Sequence, residues 1–213
     1  GVQDGSEIHE SVLTLLFLEK YGAEIVLMAP NIDQMHVVNH YTGQEMDEYR
    51  NVLVESARIA RGNIKDMAEI RGDDLDALVV PGGLGVTKNL SDYAMSGTEC
   101  SVNPDVYRLV LEMINSKKPI GAICIAPVMM SKILAEQNTT ATLTVGNEST
   151  ASKDIEEMGS KHQNCLTKEV VIDEENKIIS TPAYMDTKSI SEVAEGIEKL
   201  INQTILMVNE KNS

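Results

Sequence analysis

The stretch GAICIAP, residues 121–127, contains Cys124, one of only three cysteines in the chain. Small and branched apolar residues surround this cysteine and Pro127 follows three positions later, which is typical of a strand that turns directly into a helix. A thiol at such a turn faces the free N–H groups of the helix N-terminus, which lower its pKa and favour the thiolate. Cys124 is therefore either a reactive nucleophile or a small apolar residue that fills a core.

The nucleophile interpretation also predicts the groups that stabilise a charged intermediate. A sharp turn from strand to helix that exposes the attacking atom is a nucleophile elbow. The N–H group of Ile125, directly after Cys124, is one natural donor to an oxyanion. The glycine turn PGG at residues 81–83 offers further donors at Gly82 and Gly83. We therefore expect these three backbone positions to form an oxyanion or substrate site.

The composition predicts a core of ordinary size in a single domain spanning residues 1–213. Hydrophobic residues make up 42% of the chain but aromatic residues only 3%, so aliphatic side chains and methionine must build this core. Lys and Arg number 18 against 33 Asp and Glu, which gives a formal net charge of −15. Because so acidic a surface repels phosphate backbones and anionic lipids, we expect neither a nucleic-acid nor a membrane partner.

The cysteines and the first residues bear on the compartment. Cys100, Cys124 and Cys165 are too few and too scattered for a disulfide framework or a zinc site. A reducing, cytoplasmic location is the simpler expectation, because no signal peptide or membrane-length apolar stretch is visible. The chain opens at Gly1, without Met, inside the polar loop GVQDGS. A preceding segment that had been removed would instead indicate an organelle.

Strand-like and helix-like segments alternate along the chain. The first helix has Ser6 as its expected N-cap and Gly22 as its stop. This alternation, without linker or repeat, predicts one α/β domain with a mostly parallel sheet. Helical patterns cover residues 6–21, 51–62, 88–95, 102–118, 126–136, 151–159 and 187–209; strand patterns cover 23–30, 76–83, 119–124, 141–146 and two segments of 169–182, and a hairpin falls in 31–49.

The expected sheet also predicts where a ligand binds. In open α/β sheets, ligand sites lie at the carboxyl ends of the strands. This rule brings the PGG turn at 81–83, Cys124 and the loop before the first helix to the same edge. The site is therefore expected to form from three segments that are distant in sequence.

Several motifs together resemble a known family. PGGLGVTKNL at residues 81–90, followed by GAICIAP, is similar to the ThiJ/PfpI superfamily, which is related to the class I glutamine amidotransferases. DGSEIHE, NVLVESARIARG, CIAPVM and TPAYM add a closer resemblance to ElbB-type proteins associated with isoprenoid biosynthesis, which include a reported glyoxalase. The resemblance covers essentially the whole chain and implies a flavodoxin-like three-layer α/β sandwich with a cysteine nucleophile elbow. It also implies a first β-strand ahead of Gly1, and a sheet without that strand would contain a hydrophobic slot.

The resemblance assigns a partner to the cysteine. In the superfamily a glutamate of the first helix hydrogen-bonds the cysteine, and the matching position here, counted back from Gly22, is Glu10. A protonated carboxyl group beside the sulfur would donate to the thiolate and stabilise it. Glu7, one turn earlier, completes the E-x-x-E spacing of the family and is expected either to complement the helix N-terminus or to line the ligand site. The alternative for both glutamates is that they merely complement the positive end of the helix.

The chain lacks the histidines that other members of the superfamily use as general bases. Ile125 stands where protease-like members have His, residues 180–189 contain no His, and Gly146 stands at the position of a deglycase-like His. Hydrolysis of peptides or glutamine requires proton transfer to a poor leaving group, so we expect neither a protease nor a glutaminase. His9 lies beside Glu10 in sequence and either faces the site or is solvated.

Two functional hypotheses follow. The first is a cofactor-independent glyoxalase, a lyase of modest turnover, in which the Cys124 thiolate adds to a carbonyl group of glyoxal or methylglyoxal and Glu10 carries the proton. The second is a non-catalytic redox sensor or regulatory protein in which Cys124 is oxidised reversibly. Neither hypothesis requires a metal ion or an organic cofactor. The family habit makes a homodimer the expected assembly.

Overall fold

The computed structural model of the protein describes residues 1–211. The helices are α1 (Ile8–Lys20), α2 (Val52–Ile59), α3 (Tyr93–Ser96), α4 (Pro104–Asn115), α5 (Ala126–Glu136), α6 (Thr150–Glu157) and α7 (Ile190–Lys211). The strands are β1 (Met28–Ala29), β2 (Val38–Asn39), β3 (Gln44–Glu45), β4 (Lys65–Asp66), β5 (Leu78–Val80), β6 (Ile120–Ile123), β7 (Thr142–Leu143), β8 (Lys161–His162), β9 (Val171–Asp173) and β10 (Ile178–Thr181). Their arrangement is the flavodoxin-like α/β fold that the sequence predicts.

Four strands form the central sheet, in the order β5, β6, β10, β9. The first three run parallel, whereas β9 pairs antiparallel with β10. All four residues of β6 are buried, as expected of a parallel strand that helices cover on both faces. The parallel pairs β1–β4 and β7–β8 and the hairpin β2–β3 lie outside this sheet. The carboxyl end of β6, where Cys124 follows, therefore lies between two neighbouring strands.

Helices form a core on each face of the sheet. Ile120 and Ala122 of β6 belong to one apolar cluster, built with α4, α5 and α6. Ile123 belongs to a second cluster, built with α1 and α7. Because successive side chains of a strand point to opposite faces, the two clusters lie on opposite sides of the sheet. This gives the three layers expected from the sequence.

A cavity of about 750 Å³ separates β1 from β5, and these two strands are not paired with each other within residues 1–211. Its lining is mainly apolar and many of the side chains are only half-buried, among them Leu15, Leu18, Val26, Ile59, Val79, Val80, Ile205 and Val208. This is the kind of apolar slot that the family resemblance implies. That a strand belongs in it stays a prediction.

Some predicted elements differ from the observed ones. The apolar run 23–30 becomes a strand only at β1, because residues 24–26 border the cavity and pair with no strand in the described part of the chain. The predicted helix 88–95 is divided between a π-helical turn, Val86–Leu90, and α3. The polar two-residue strands β4 and β8 were not predicted, since neither has the apolar pattern of a strand.

Candidate active site

Cys124 lies at the turn between β6 and α5. Its backbone N–H group donates to the carbonyl oxygen of Thr181 at 2.9 Å, so the ends of β6 and β10 remain side by side. The φ angle of Cys124 is +62°, a left-handed conformation that is unfavourable for any residue with a Cβ atom and is often retained at functional sites. Two residues later α5 begins, with Pro127 in its first turn. The side chain is 8% exposed.

Glu10 approaches the same point from α1. Its side chain is completely buried, and Oε2 accepts a hydrogen bond from the Gly82 N–H group at 2.8 Å. The other oxygen, Oε1, has no hydrogen-bond partner of good geometry among the described residues. Burial, and then the charge of Glu7, raise the pKa of Glu10 to about 7, although the neighbouring Gly82 N–H, Cys124 thiol and Tyr184 N–H lower it. A proton on Glu10 is therefore available to the sulfur near neutral pH.

Gly82 is the spacer between the two reactive side chains. A Cβ atom at this position would lie 2.4 Å from Cys124 Cβ, 2.6 Å from Glu10 Oε2 and 3.0 Å from Cys124 Sγ. All three contacts are closer than van der Waals packing allows. Glycine is therefore required for the carboxyl group and the thiol to come together.

The thiol pKa differs from the sequence expectation. Burial and the Glu10 carboxylate raise the pKa of Cys124 well above its usual value, while the N–H groups of Gly83 and Ile125 lower it. The helix-terminus argument alone had predicted a lowered pKa. Because the charge of Glu10 is one cause of the raised thiol pKa, a proton on Glu10 lowers the thiol pKa, while burial continues to oppose the thiolate.

The predicted oxyanion donors divide into two groups. The N–H groups of Gly83 and Ile125 lie beside the Cys124 sulfur, where they can also reach an oxygen on a carbon bonded to it. The Gly82 N–H group donates to Glu10 instead. Gly82 thus orients the acid, a role that differs from the predicted oxyanion or substrate contact.

Glu7 caps the helix that carries Glu10. Its Oε2 accepts a hydrogen bond from the Glu10 N–H group at 2.7 Å, and its own N–H group donates to the Gly82 carbonyl at 2.9 Å. The N-cap of α1 is therefore Glu7, and the prediction of Ser6 is wrong by one residue. Of the two interpretations of Glu7, the structure supports the helix-terminus one directly.

One residue at the site was not singled out from the sequence. Tyr184 lies in the turn Ala183–Met185 after β10, with its backbone N–H group beside Glu10. Its hydroxyl oxygen is 2.7 Å from Nδ1 of His9, and His9 is exposed, as the solvated alternative predicts. Since 175 residues separate the two, no local pattern could have linked them.

The other two cysteines and His162 belong to no group of metal ligands in the described part of the chain. All three cysteines are free, and Cys100 is as deeply buried as the core. Nε2 of His162 accepts from the Val145 N–H group at 3.3 Å. Within residues 1–211, no three His, Cys, Asp or Glu side chains are grouped as metal ligands, and no helix has the length and apolarity of a membrane span.

Comparison with known proteins places the chain in a family. The DJ-1/PfpI family matches residues 2–187. The Homo sapiens protein named glutamine amidotransferase-like class 1 domain-containing protein 3, mitochondrial, is 41% identical over 218 residues, which cover 96% of this chain and 79% of the human protein. The ES1 protein, mitochondrial, of Danio rerio is 33% identical, covering 87% of this chain and 73% of the fish protein.

Solved structures agree as well. The crystal structure of an isoprenoid biosynthesis protein with an amidotransferase-like domain from Ehrlichia chaffeensis has a TM-score of 0.90 and 39% identity, and the match covers 97% of this chain and 94% of that one. Drosophila melanogaster DJ-1beta, at 16% identity and a TM-score of 0.52 over 99% of this chain and 94% of the fly protein, shows the shared fold. The chain belongs to the DJ-1/PfpI family.

Proposed function

We propose that this protein is a glyoxalase-like enzyme that uses Cys124 to convert small α-oxo aldehydes, glyoxal and methylglyoxal, to hydroxy acids. The observation that carries the proposal is the pairing of a completely buried carboxyl group, Glu10, with a thiol at the end of a central strand. A carboxyl group with a pKa of about 7 can both give and take a proton near neutral pH. This is the property that an isomerising proton transfer needs.

The reaction can be written with every atom balanced. The thiolate of Cys124 adds to the aldehyde carbon, and the resulting oxygen accepts hydrogen bonds from the Gly83 and Ile125 N–H groups and takes the proton of Glu10. The Glu10 carboxylate then removes the hydrogen from this carbon and passes it to the neighbouring carbonyl oxygen, which gives an enediol. The hydroxyl on the sulfur-bearing carbon loses its proton through Glu10 to the neighbouring carbon, and the hemithioacetal has become a thioester. Water hydrolyses the thioester and releases the hydroxy acid and the thiolate. The net change is the addition of one water molecule, without an external oxidant.

Protease and glutaminase activities are not proposed. Ile125 follows the cysteine, and residues 180–189 contain no His to protonate an amine leaving group. A Cβ atom at Gly146 would lie 1.7 Å from the Asp186 carboxylate, so the place of a deglycase-like His is already filled. A thiolate leaving group needs no such proton donor, which is consistent with chemistry limited to thioesters.

The test follows lactate formation from methylglyoxal. We expect the protein to produce lactate slowly, and Cys124→Ala to produce none above the uncatalysed rate. Glu10→Gln keeps the size of the side chain but cannot exchange the proton, so we expect a loss of about a hundredfold or more. Wild-type protein that forms no more lactate than Cys124→Ala would exclude the enzyme.

A redox sensor is the second candidate, and one feature of the site favours it. The Glu10 side chain lies beside Cys124 and its Oε1 has no hydrogen-bond partner among the described residues, so the carboxyl group could donate a proton to an oxygen added to the sulfur. Intact mass after mild peroxide treatment tests this function. We expect an added oxygen on Cys124 that Glu10→Gln makes less stable; a thiol that stays unmodified would exclude a sensor.

The relatives also bear on location and pathway. The human and fish proteins are named mitochondrial, which supports an organellar location for this chain over the expected cytoplasmic one. The bacterial relative is named an isoprenoid biosynthesis protein. We propose the same association with isoprenoid biosynthesis for this chain. The proposed chemistry does not depend on it. The proposed glyoxalase-like enzyme acts on a small carbonyl compound and requires no cofactor.

A further inference from the structure

His9 and Tyr184 meet next to the Cys124 site and play no part in the steps described so far. His9 Nδ1 and the Tyr184 hydroxyl oxygen lie 2.7 Å apart, and the ring centroids are 5.8 Å apart with planes inclined by 50°. His9 belongs to the first turn of α1, directly before Glu10, and Tyr184 follows the end of β10, which is bonded to Cys124. The hydrogen bond therefore joins the two elements that flank the cysteine.

Tyr184 connects this hydrogen bond to the buried pair. Its backbone N–H group lies beside the Glu10 carboxyl group, and its side chain packs against the apolar cluster that contains Cys124. Burial, followed by the charges of Glu7 and Glu10, raises the pKa of the phenol, so its hydroxyl keeps a proton to pass on. His9 is exposed and can exchange protons with water. The hydrogen-bonded pair thus lies at the exposed edge of the two segments that carry Glu10 and follow β10.

Hydrolysis of the thioester creates a need for such a pair. The oxygen of water bonds to the thioester carbon, the carbon–sulfur bond breaks, and the sulfur leaves as thiolate, while one proton of the water must go to a base. Glu10 is completely buried, and its Oε2 is held by the Gly82 N–H group. Imidazole is the side chain that most often takes and returns protons at neutral pH. The expected base histidines are missing from the segments after Cys124, whereas His9 directly precedes Glu10 and is bonded to Tyr184.

We propose that the His9–Tyr184 pair accepts the proton released when water hydrolyses the Cys124 thioester and passes it to solvent; this rests on the proposed glyoxalase function. The Tyr184 hydroxyl takes a proton from the attacking water as it gives its own to Nδ1 of His9. Protonated His9 then loses a proton to bulk water. Tyr184 is unchanged at the end of the cycle, and His9 is again ready to accept.

The experiment combines turnover, intact mass and chemical rescue. His9→Ala and Tyr184→Phe are compared with the wild type for lactate formation from methylglyoxal, and each is quenched during turnover for intact mass. We expect both variants to lose about a hundredfold in rate and to accumulate one lactoyl group on Cys124, because the thioester still forms. Added imidazole should restore His9→Ala, whereas it should leave Tyr184→Phe slow, because the tyrosine hydroxyl is then missing.

The controls separate this proposal from the function on which it rests. Tyr107→Phe removes a tyrosine hydroxyl that accepts from Gln137 at 2.8 Å on α4, remote from β10 in sequence and unconnected to Glu10, and should leave the rate unchanged. Wild type without lactate would overturn the proposed function and this inference with it. Wild-type activity in His9→Ala would overturn this inference alone. So would a slow His9→Ala variant that accumulates no lactoyl group or does not respond to imidazole, since that result indicates a role in packing.

Discussion

The protonation of Glu10 changes the pKa of the Cys124 thiol beside it. The family resemblance and the strand-to-helix pattern were sufficient to select both residues. Their burial could not be predicted, since it depends on how α1 lies against the end of β6. That burial reverses the expected sign of the thiol pKa shift, because it penalises the thiolate more than the helix terminus favours it.

Glu10 should make the stability of the protein fall as pH rises. Its pKa is about 7 in the folded chain against 4.5 for the free side chain, so the folded state holds the proton more tightly. The stabilisation is complete below pH 4.5 and is lost as pH rises through 7, by about 3 kcal/mol of unfolding free energy. Glu10→Gln should remove this dependence and be the more stable protein at pH 8.

Urea unfolding at pH 5 and pH 8 measures this difference. Glu19→Gln, which changes an exposed residue of the same helix, is the matched control and should keep the pH dependence of the wild type. If Glu10→Gln and the wild type lost the same free energy between the two pH values, the raised pKa would not be a property of Glu10.

Helices with a regular apolar pattern were predicted well, whereas strands that depend on pairing with other strands were not. The helix predicted over 126–136 is α5 to the residue, because Pro127 fixes its start and apolar residues cover most of its length. The strand pattern 141–146 contains only β7, two residues long. A helix satisfies its own backbone hydrogen bonds, whereas a strand exists only where another strand lies beside it.

The outer face of α1 predicts where a second copy binds. Ile8, Val12 and Leu16 are spaced by four residues, so they share one face, and they are 48%, 47% and 53% exposed. Contiguous exposed apolar side chains commonly mark a protein interface.

Light scattering tests this interface. We expect the wild type to be a dimer and the double variant Val12→Glu, Leu16→Glu to be a monomer. Leu166→Glu, at another exposed leucine, should stay dimeric. A monomeric wild type would contradict the expected homodimer.

At the scale of the molecule, the centre of the sheet and its β5 edge are packed to different degrees. The core around β6, β10 and their helices contains many completely buried side chains, whereas β5 borders a cavity on its other edge. The sequence predicts both features, the first from apolar strands and the second from the family resemblance. The sequence does not predict how the helices beside the cavity pack, because their packing depends on contacts between distant segments such as α1 and α7.

The cavity between β1 and β5 should bind apolar molecules. With a volume of about 750 Å³ and a mainly apolar lining, it is large enough for a fused-ring dye. We expect Nile red to become fluorescent when it binds the protein and to raise the protein's unfolding temperature, because a ligand that binds only the folded state stabilises it.

Two variants of α2 test where the dye binds. Ile59→Glu places a charge in the lining of the cavity and should abolish both effects. Val54→Glu adds the same charge to the exposed side of the same helix, outside the lining, and should preserve them. Equal dye binding by the two variants would place the dye elsewhere, and no binding by the wild type would mean that the cavity is filled in solution.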